Sequence, residues 1–393
     1  MKTENEKELP ELSLMEGGPG AALMKRLRVI RPEFGAASAR TALLLAALSW
    51  FPLLLISLFE GLAIGGSRIP FLYDIAAHAR FLVATPILIL AEIPIGRRLR
   101  QVAKHFLNAG LVRDDEQKQF AGHVLETLRF HDSRLAELTL LALVYIATYV
   151  SLSKTFWQSG STWFDPSPSA GLSLVGYYYA FISMPIFQFL MFRWAYRMIA
   201  WAIFLWRVSK LDLLLTPTHP DGAGGLGFLG KGTMPFAVIL FGLSSVVSGA
   251  IASRILFGGA TLEQFEVTYA TAIMLGIIFF TGPLIVFIPK LLGLKYQGLL
   301  RYGILASSYT QQFDSKWVDG TNTAKEPILG TGDIQSLADL GNSYELVRKM
   351  RIIPIEASDF IVIALLGVIP ALPLAATVMP VGDILQGILR LLG

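Results

Sequence analysis

Seven blocks of mainly apolar residues, separated by polar loops, constrain this chain more than any other feature of its sequence. Each block approaches the ~20 residues that an α-helix needs to cross ~30 Å of hydrocarbon. None alternates apolar and polar residues as transmembrane β-strands do. The sequence therefore predicts an all-α, polytopic membrane protein with about seven transmembrane helices. The blocks lie at 41–59, 81–95, 135–152, 172–192, 234–253, 269–288 and 360–381.

The composition supports this class and excludes others. Hydrophobic residues make up 53% of the chain and charged residues 16%, whereas about a quarter of the residues in a soluble domain are charged. The chain contains no cysteine, which excludes disulfides, thiolate metal sites and thiol catalysis. The net charge of +4 comes from loops without interleaved aromatic residues, so we expect no nucleic-acid binding.

The distribution of lysine and arginine predicts the orientation. Segments 1–40, 96–136, 193–231 and 290–358 are basic, and the intervening loops are nearly free of basic residues. Because basic loops stay in the cytoplasm, the N-terminus is expected inside and the C-terminus outside. The same loops are expected to meet anionic lipids on the cytoplasmic side of the bilayer.

These patterns divide the chain into alternating membrane and polar segments. The fourth apolar block is read as a crossing over 172–192 with an extension over 193–207. Helices are predicted over 333–350 and through the apolar positions Phe120, Val124, Leu125 and Leu128. Segments 96–136, 193–231 and 290–358 are expected to form a cytoplasmic helical layer. The segments are 1–40, 41–95, 96–136, 137–206, 207–233, 234–289, 290–358 and 359–393.

Segment 207–233, called the elbow here, contains the string TPTHPDGAGGLGFLG. Its prolines and glycines predict a fixed, non-helical connection. In one interpretation, backbone amides of the glycines bind an anion, and His219 and Asp221 orient it. In the other, Asp221 caps the next helix and the glycines permit tight packing. The candidate gating or ligand residues are His219, Asp221, Gly222, Gly224 and Gly225.

Polar residues in or beside the apolar blocks form a second group of candidates. Asp74 and His78 are four residues apart, so they either line a vestibule or pair at the end of a span. Glu92 is expected to pair with Arg97. Arg193 and Arg197 lie either at the membrane interface or, if the fourth span is shifted, within the membrane. The group comprises Glu60, Asp74, His78, Glu92, Arg193 and Arg197.

Three histidines, His105, His123 and His131, lie among acidic residues in segment 96–136. Their spacing lacks the His-Glu-x-x-His pattern of a zinc site. We therefore expect a solvated face there and no metal or other cofactor.

Two strings, HPDGAGGLGFLG at 219–230 and DIQSLADLGNSYELVRKMRIIPI at 333–355, carry a resemblance. They are similar to segments of uncharacterised bacterial multi-pass inner-membrane proteins. The resemblance implies a bacterial inner-membrane location and supplies no activity or site residues.

The sequence leaves three functions open. The leading hypothesis is an oligomeric channel or transporter-like protein in which the elbow helps to gate a permeation path. The second is a membrane scaffold or sensor that binds a cytoplasmic protein partner through 290–358. The third is a membrane enzyme acting on a lipid-borne or phosphorylated substrate, with His219 and Asp221 at the interface.

Overall fold

The computed structural model describes residues 12–14, 36–152, 162–166, 171–319 and 330–375, and most of these residues are helical. The all-α prediction is confirmed. Most of the predicted N-terminal segment 1–40 lies outside the described residues. The last residues of the seventh apolar block, 376–381, lie outside them as well. The helices are α1 (Ala36–Phe59), α2 (Ile75–Asn108), α3 (Gln117–His131), α4 (Arg134–Leu152), α5 (Leu174–Val208), α6 (Phe228–Gly258), α7 (Leu262–Val318), α8 (Gly332–Lys349) and α9 (Ala357–Ala375).

Six of the described helices are long and apolar enough to cross a membrane: α1, α2, α5, α6, α7 and α9. A seventh span results if α3 and α4, which are bent by 44°, are counted together. The polytopic architecture and the expected number of spans are therefore both confirmed.

Several of these helices continue through irregular turns instead of ending. In α2 a π-helical turn, Ala79–Ala84, precedes Pro86. In α7 a 3₁₀ stretch, Gly282–Phe287, contains Pro283. Proline lacks the N–H that an α-helix needs, so the backbone rewinds locally while the axis continues. This explains why α2 and α7 are longer than the apolar blocks that predicted them.

The long helices extend well beyond a bilayer. At ~1.5 Å per residue, α2 and α5 are each about 50 Å long and α7 is about 85 Å long, compared with ~30 Å of hydrocarbon. The far part of α7 packs antiparallel on α8, and a Cβ at Gly298 would lie 2.8 Å from Val347. This helical hairpin includes the helix predicted over 333–350, which the structure confirms as Gly332–Lys349.

The central helix of the bundle is α6, which contacts α2, α7 and α9. Its glycines bring the helix backbones close together. A Cβ at Gly249 would lie 3.0 Å from the Cα of Ala76, and one at Gly242 would lie 3.1 Å from Ile87. Small residues drive such close packing in membranes, where the hydrophobic effect contributes little between helices. The packing of α6 against α2 places the start of α6 beside the Arg97 turn of α2.

Candidate functional site

The non-helical part of the elbow, 209–227, is organised around the carboxylate of Asp221. One carboxylate oxygen accepts hydrogen bonds from the amides of Ala223 at 2.8 Å and Gly225 at 3.1 Å. The other accepts from the amide of Gly227 at 2.8 Å. The Nδ1 atom of His219 lies 2.9 Å from the carboxylate. The predicted non-helical connection is therefore observed, and it turns around a single side chain.

Glycines in the elbow have the backbone conformation that this turn requires. Gly222, Gly224 and Gly225 have φ angles of 61°, 67° and 100°, a region that residues with a Cβ rarely adopt. At Gly224 a Cβ would also lie 2.8 Å from the side chain of Leu294 on α7. Glycine is thus needed here both for the turn and for the contact with α7.

Asp221 is ionised in this setting. Burial by itself raises the pKa of its carboxyl, but the hydrogen bonds from Ala223, Gly227 and Gly225 outweigh burial and hold the pKa below its ordinary value. The His219 side chain acts in the same direction.

This geometry bears on the two interpretations of the elbow. The amides of Ala223, Gly225 and Gly227 could have bound an external anion, but they donate their hydrogen bonds to the Asp221 carboxylate instead. Gly227 is also the residue that precedes the first turn of α6. The Asp221 carboxylate therefore binds the amide of the residue that precedes the first turn of α6, which favours the second interpretation, and it takes up amides that the first interpretation assigned to a ligand.

The elbow is bonded to neighbouring segments as well as to itself. The amide of Arg351, in the link between α8 and α9, donates to the carbonyl of Gly222 at 2.7 Å, and its guanidinium donates to the carbonyl of Asp221. Lys290 on α7 donates to the carbonyl of Leu211. These bonds hold the elbow against α7 and the segment before α9.

A Glu–Arg cluster lies inside the bundle and consists of Glu92 on α2 with Arg193 and Arg197 on α5. One carboxylate oxygen of Glu92 lies 3.0 Å from Nη1 of Arg193 and 2.9 Å from Nη1 of Arg197. Both arginines are buried, with exposed fractions of 4% and 1%. The predicted pairing of Glu92 with Arg97 is wrong, because Arg97 lies on an exposed face of α2 and Glu92 faces α5.

The cluster adjoins the pair formed by His131 and Asp132 at the end of α3, so a second carboxylate lies nearby. Two guanidinium groups share one carboxylate. Two buried atoms of this group that can donate have no hydrogen-bond partner within the described residues: Nε of Arg193 and Nε2 of His131. Buried polar groups are normally paired, so each such atom calls for an explanation.

The cluster lies towards one end of the bundle. Glu92 is about 26 Å along α2 from Ile75, and Arg193 is about 29 Å along α5 from Leu174. Both distances approach the ~30 Å thickness of the hydrocarbon core. The cluster is therefore at the end of the bundle that carries the elbow, shielded from lipid by the surrounding helices.

His131 corrects a second sequence expectation. It was assigned to a solvated face, but its side chain is fully buried where α3 packs on α5, and its Nδ1 lies 3.1 Å from Asp132. Among the described residues, no group of three or more His, Asp or Glu side chains could hold a metal ion. The signal that identifies His131 is its contact with α5, which its spacing along the chain does not reveal.

At the opposite end of the bundle, Asp74 and His78 bind tryptophans. The Nε1 atom of Trp163 donates to Asp74 at 2.8 Å, and Asp74 also accepts from the amide of Ala77. The Nε1 atom of Trp50 donates to Nδ1 of His78 at 2.8 Å. The first bond anchors the loop that contains Trp163, and the second joins α1 to α2, so both polar side chains are paired, which favours the pairing interpretation over a vestibule.

Glu60 also has a structural role at that end. Its two carboxylate oxygens accept hydrogen bonds from the amides of Leu174 at 2.8 Å and Val175 at 2.9 Å. These amides belong to the first turn of α5 and have no partner within the helix, so a carboxylate stabilises them.

Comparisons of the chain with protein-family models, curated proteins and solved structures find no match.

Proposed function

We propose that this protein is an oligomeric channel or transporter-like protein of the bacterial inner membrane, and that it handles a small anion. The observation that carries the proposal is the buried Glu–Arg cluster, with two guanidinium groups for one carboxylate. Ionisable residues within membrane proteins are costly and are usually kept for function, commonly along the path of an ion or substrate.

The charges of the cluster favour a solute of negative charge. In the contacts described, two guanidinium groups face the Glu92 carboxylate, and Nε of Arg193 is a buried donor without a described partner. A bound anion would accept that hydrogen bond and add negative charge beside the guanidinium groups. A cation would meet two guanidinium groups and be repelled.

The elbow connects the cluster mechanically to the central helix. It joins α5, which carries both arginines, to α6, the central helix. Because Asp221 and Arg351 make the elbow a bonded unit, a shift of α5 is transmitted to α6 through it. The elbow gates the path in this way, without binding a ligand itself. The basic character of segments 193–231 and 290–358 supports a cytoplasmic location for this end.

Flux measurements with an Arg193→Gln variant test the proposal. This variant removes one of the two guanidinium groups that face Glu92, together with the buried Nε donor. We expect chloride efflux from liposomes to fall about tenfold or more, the scale of one lost charge-assisted hydrogen bond, while the protein remains folded. Arg301→Gln, on an exposed face of α7, is the matched control. Unchanged chloride efflux, or selective potassium efflux, would contradict the proposal.

A second candidate, a scaffold or sensor for a cytoplasmic protein, is favoured by a different observation. Leu292, Tyr296, Leu300 and Ile304 form an exposed apolar stripe on α7 at four-residue spacing. Leu292 is about 45 Å along α7 from Leu262, beyond the ~30 Å of hydrocarbon. An apolar helix face outside the membrane is typical of a protein contact.

Two measurements on a Leu300→Ser/Ile304→Ser variant separate these candidates. If the stripe joins copies of this chain in an oligomer, the native mass in nanodiscs falls to that of a smaller assembly. If the stripe binds another protein, the native mass is unchanged and capture of that partner is lost.

A further inference from the structure

A basic pocket lies on the surface of the bundle where α2 passes the start of α6. It has a volume of about 490 Å³. It is separate from the Glu–Arg cluster, because Arg97 faces away from Glu92 and from α5. The residues that line it are Pro94, Arg97, Arg98, Gln101, Lys231, Met234 and Pro235.

Two helices independently place this pocket at a membrane boundary. Arg97 is about 33 Å along α2 from Ile75. Met234 is about 36 Å along α6 from Gly258, at the opposite end of that helix. Since the hydrocarbon core is ~30 Å thick, both helices put the pocket just outside it, at the level of the lipid headgroups.

The pocket carries positive charge that no residue in the described part of the chain neutralises. Lys231 is balanced, because its Nζ donates to Asp359 at 2.8 Å and to Glu356 at 3.1 Å. Arg98 makes only long hydrogen bonds, to the carbonyl of Lys231 at 3.4 Å and the side-chain amide of Gln101 at 3.5 Å. Within the described residues Arg97 is exposed and forms no ion pair. Two guanidinium groups are therefore available to an anion.

The remaining lining residues are suited to a lipid. Pro94, Met234 and Pro235 are apolar and lie in the same pocket as the two arginines. A phospholipid has the same order of groups, with a charged phosphate next to a glycerol backbone and acyl chains. Arginine binds phosphate oxygens with two parallel hydrogen bonds, which a surface lysine does not reproduce.

We propose that this pocket is a binding site for the phosphate group of an anionic phospholipid. Arg97 and Arg98 hold the phosphate, Gln101 donates to it from the next turn of α2, and the apolar residues contact the glycerol and the first part of the acyl chains. Lys231, fixed by Asp359 and Glu356, forms the wall of the pocket and links an occupied site to the segment before α9 and the elbow.

Lipid retention in nanodiscs tests this site. The full-length protein is reconstituted with neutral phosphatidylcholine, with and without phosphatidylglycerol, and bound lipid is measured by native mass spectrometry. We expect the double variant Arg97→Gln/Arg98→Gln to retain roughly tenfold less phosphatidylglycerol than the unmodified protein. Arg129→Gln/Arg301→Gln removes the same charge from exposed positions elsewhere and is expected to retain it normally.

Equal retention by the two double variants would overturn the proposal, since only the general charge of the surface would then matter. Inorganic phosphate, added to the protein in detergent, distinguishes a lipid from a free phosphate. If phosphate raises the unfolding temperature as much as phosphatidylglycerol does, and the Arg97/Arg98 variant abolishes both effects, the site takes free phosphate and the lipid assignment is wrong. If the double variant does not fold, Arg97→Gln alone decides the question, because Arg97 is exposed and supports no described contact.

Discussion

The elbow and the Glu–Arg cluster are both polar centres at the same end of the molecule, but they are built in opposite ways. In the elbow one carboxylate faces three backbone amides, and its hydrogen-bonding capacity is used within a few residues of chain. In the cluster one carboxylate faces two guanidinium groups from a helix about a hundred residues away. The carboxylate of the elbow is satisfied by nearby amides, whereas that of the cluster takes its partners from another helix.

The difference separates a structural centre from a functional one. A fully satisfied polar network stabilises one conformation. A buried centre with excess charge costs stability and is retained where it does something else. Glycine and histidine beside an aspartate identify the elbow at once in the sequence, yet its chemistry is complete. The cluster is inconspicuous in the sequence, yet it contains buried donors without a described partner, Nε of Arg193 and Nε2 of His131.

The largest expected effect is that of Glu92→Gln. This change removes the carboxylate that both buried guanidinium groups face, and breaking a buried ion pair in this way typically costs about 3–5 kcal/mol. We expect a large drop in the unfolding temperature in detergent. Glu345→Gln is the control, because Glu345 pairs with Arg348 on an exposed face of α8, where ion pairs contribute little. Similar unfolding temperatures for both variants would show that the cluster is not buried in the membrane protein as described.

A smaller effect is expected in the elbow. Asp221→Ala leaves three amides without their acceptor and should destabilise the protein by about 2 kcal/mol, because part of the loss is offset by water. Asp221→Asn, which keeps one acceptor oxygen, should have an intermediate effect. The matched control is Asp212→Ala, which removes an exposed pair with Arg113 in the same segment. A loss of anion flux in a fully stable Asp221→Asn protein would instead give Asp221 a direct part in transport.

The smallest expected effect is a pH dependence that belongs to Asp221. Its pKa is lower in the folded protein than in the unfolded chain. Its contribution to stability is therefore fully present above the unfolded value near ~3.9 and is lost as the pH falls through the folded pKa. The difference in unfolding temperature between the unmodified protein and Asp221→Asn should accordingly shrink below about pH 4. A difference that stays constant with pH would mean that the amides do not stabilise the charged form.

Local patterns in the sequence predict the elements of this fold well. The apolar blocks predict the spans because a helix must be apolar over its whole length in lipid. The helix over 333–350 agrees with the observed Gly332–Lys349 to one residue at each end. The non-helical elbow follows from its prolines and glycines alone. Each of these inferences depends only on residues that are neighbours along the chain.

The same local reasoning fails where partners come from distant segments. Arg97 is five residues from Glu92 and was the natural partner, but the packing of α2 on α5 brings Arg193 and Arg197 to Glu92 and leaves Arg97 on the surface. His131 is fully buried because α3 packs on α5, although its neighbours in sequence are polar.

The sequence by itself determined the class of the protein, its spans and its non-helical elbow, since hydropathy and backbone preference are properties of short segments. Only the tertiary structure decided which charges are balanced. A buried charge takes its partner from whichever helix lies against it, and helix contacts such as Gly249 on Ala76 depend on the shape of both surfaces. The pairing of Glu92, the use of the elbow amides by Asp221 and the pocket between Arg97 and Lys231 all depend on that packing.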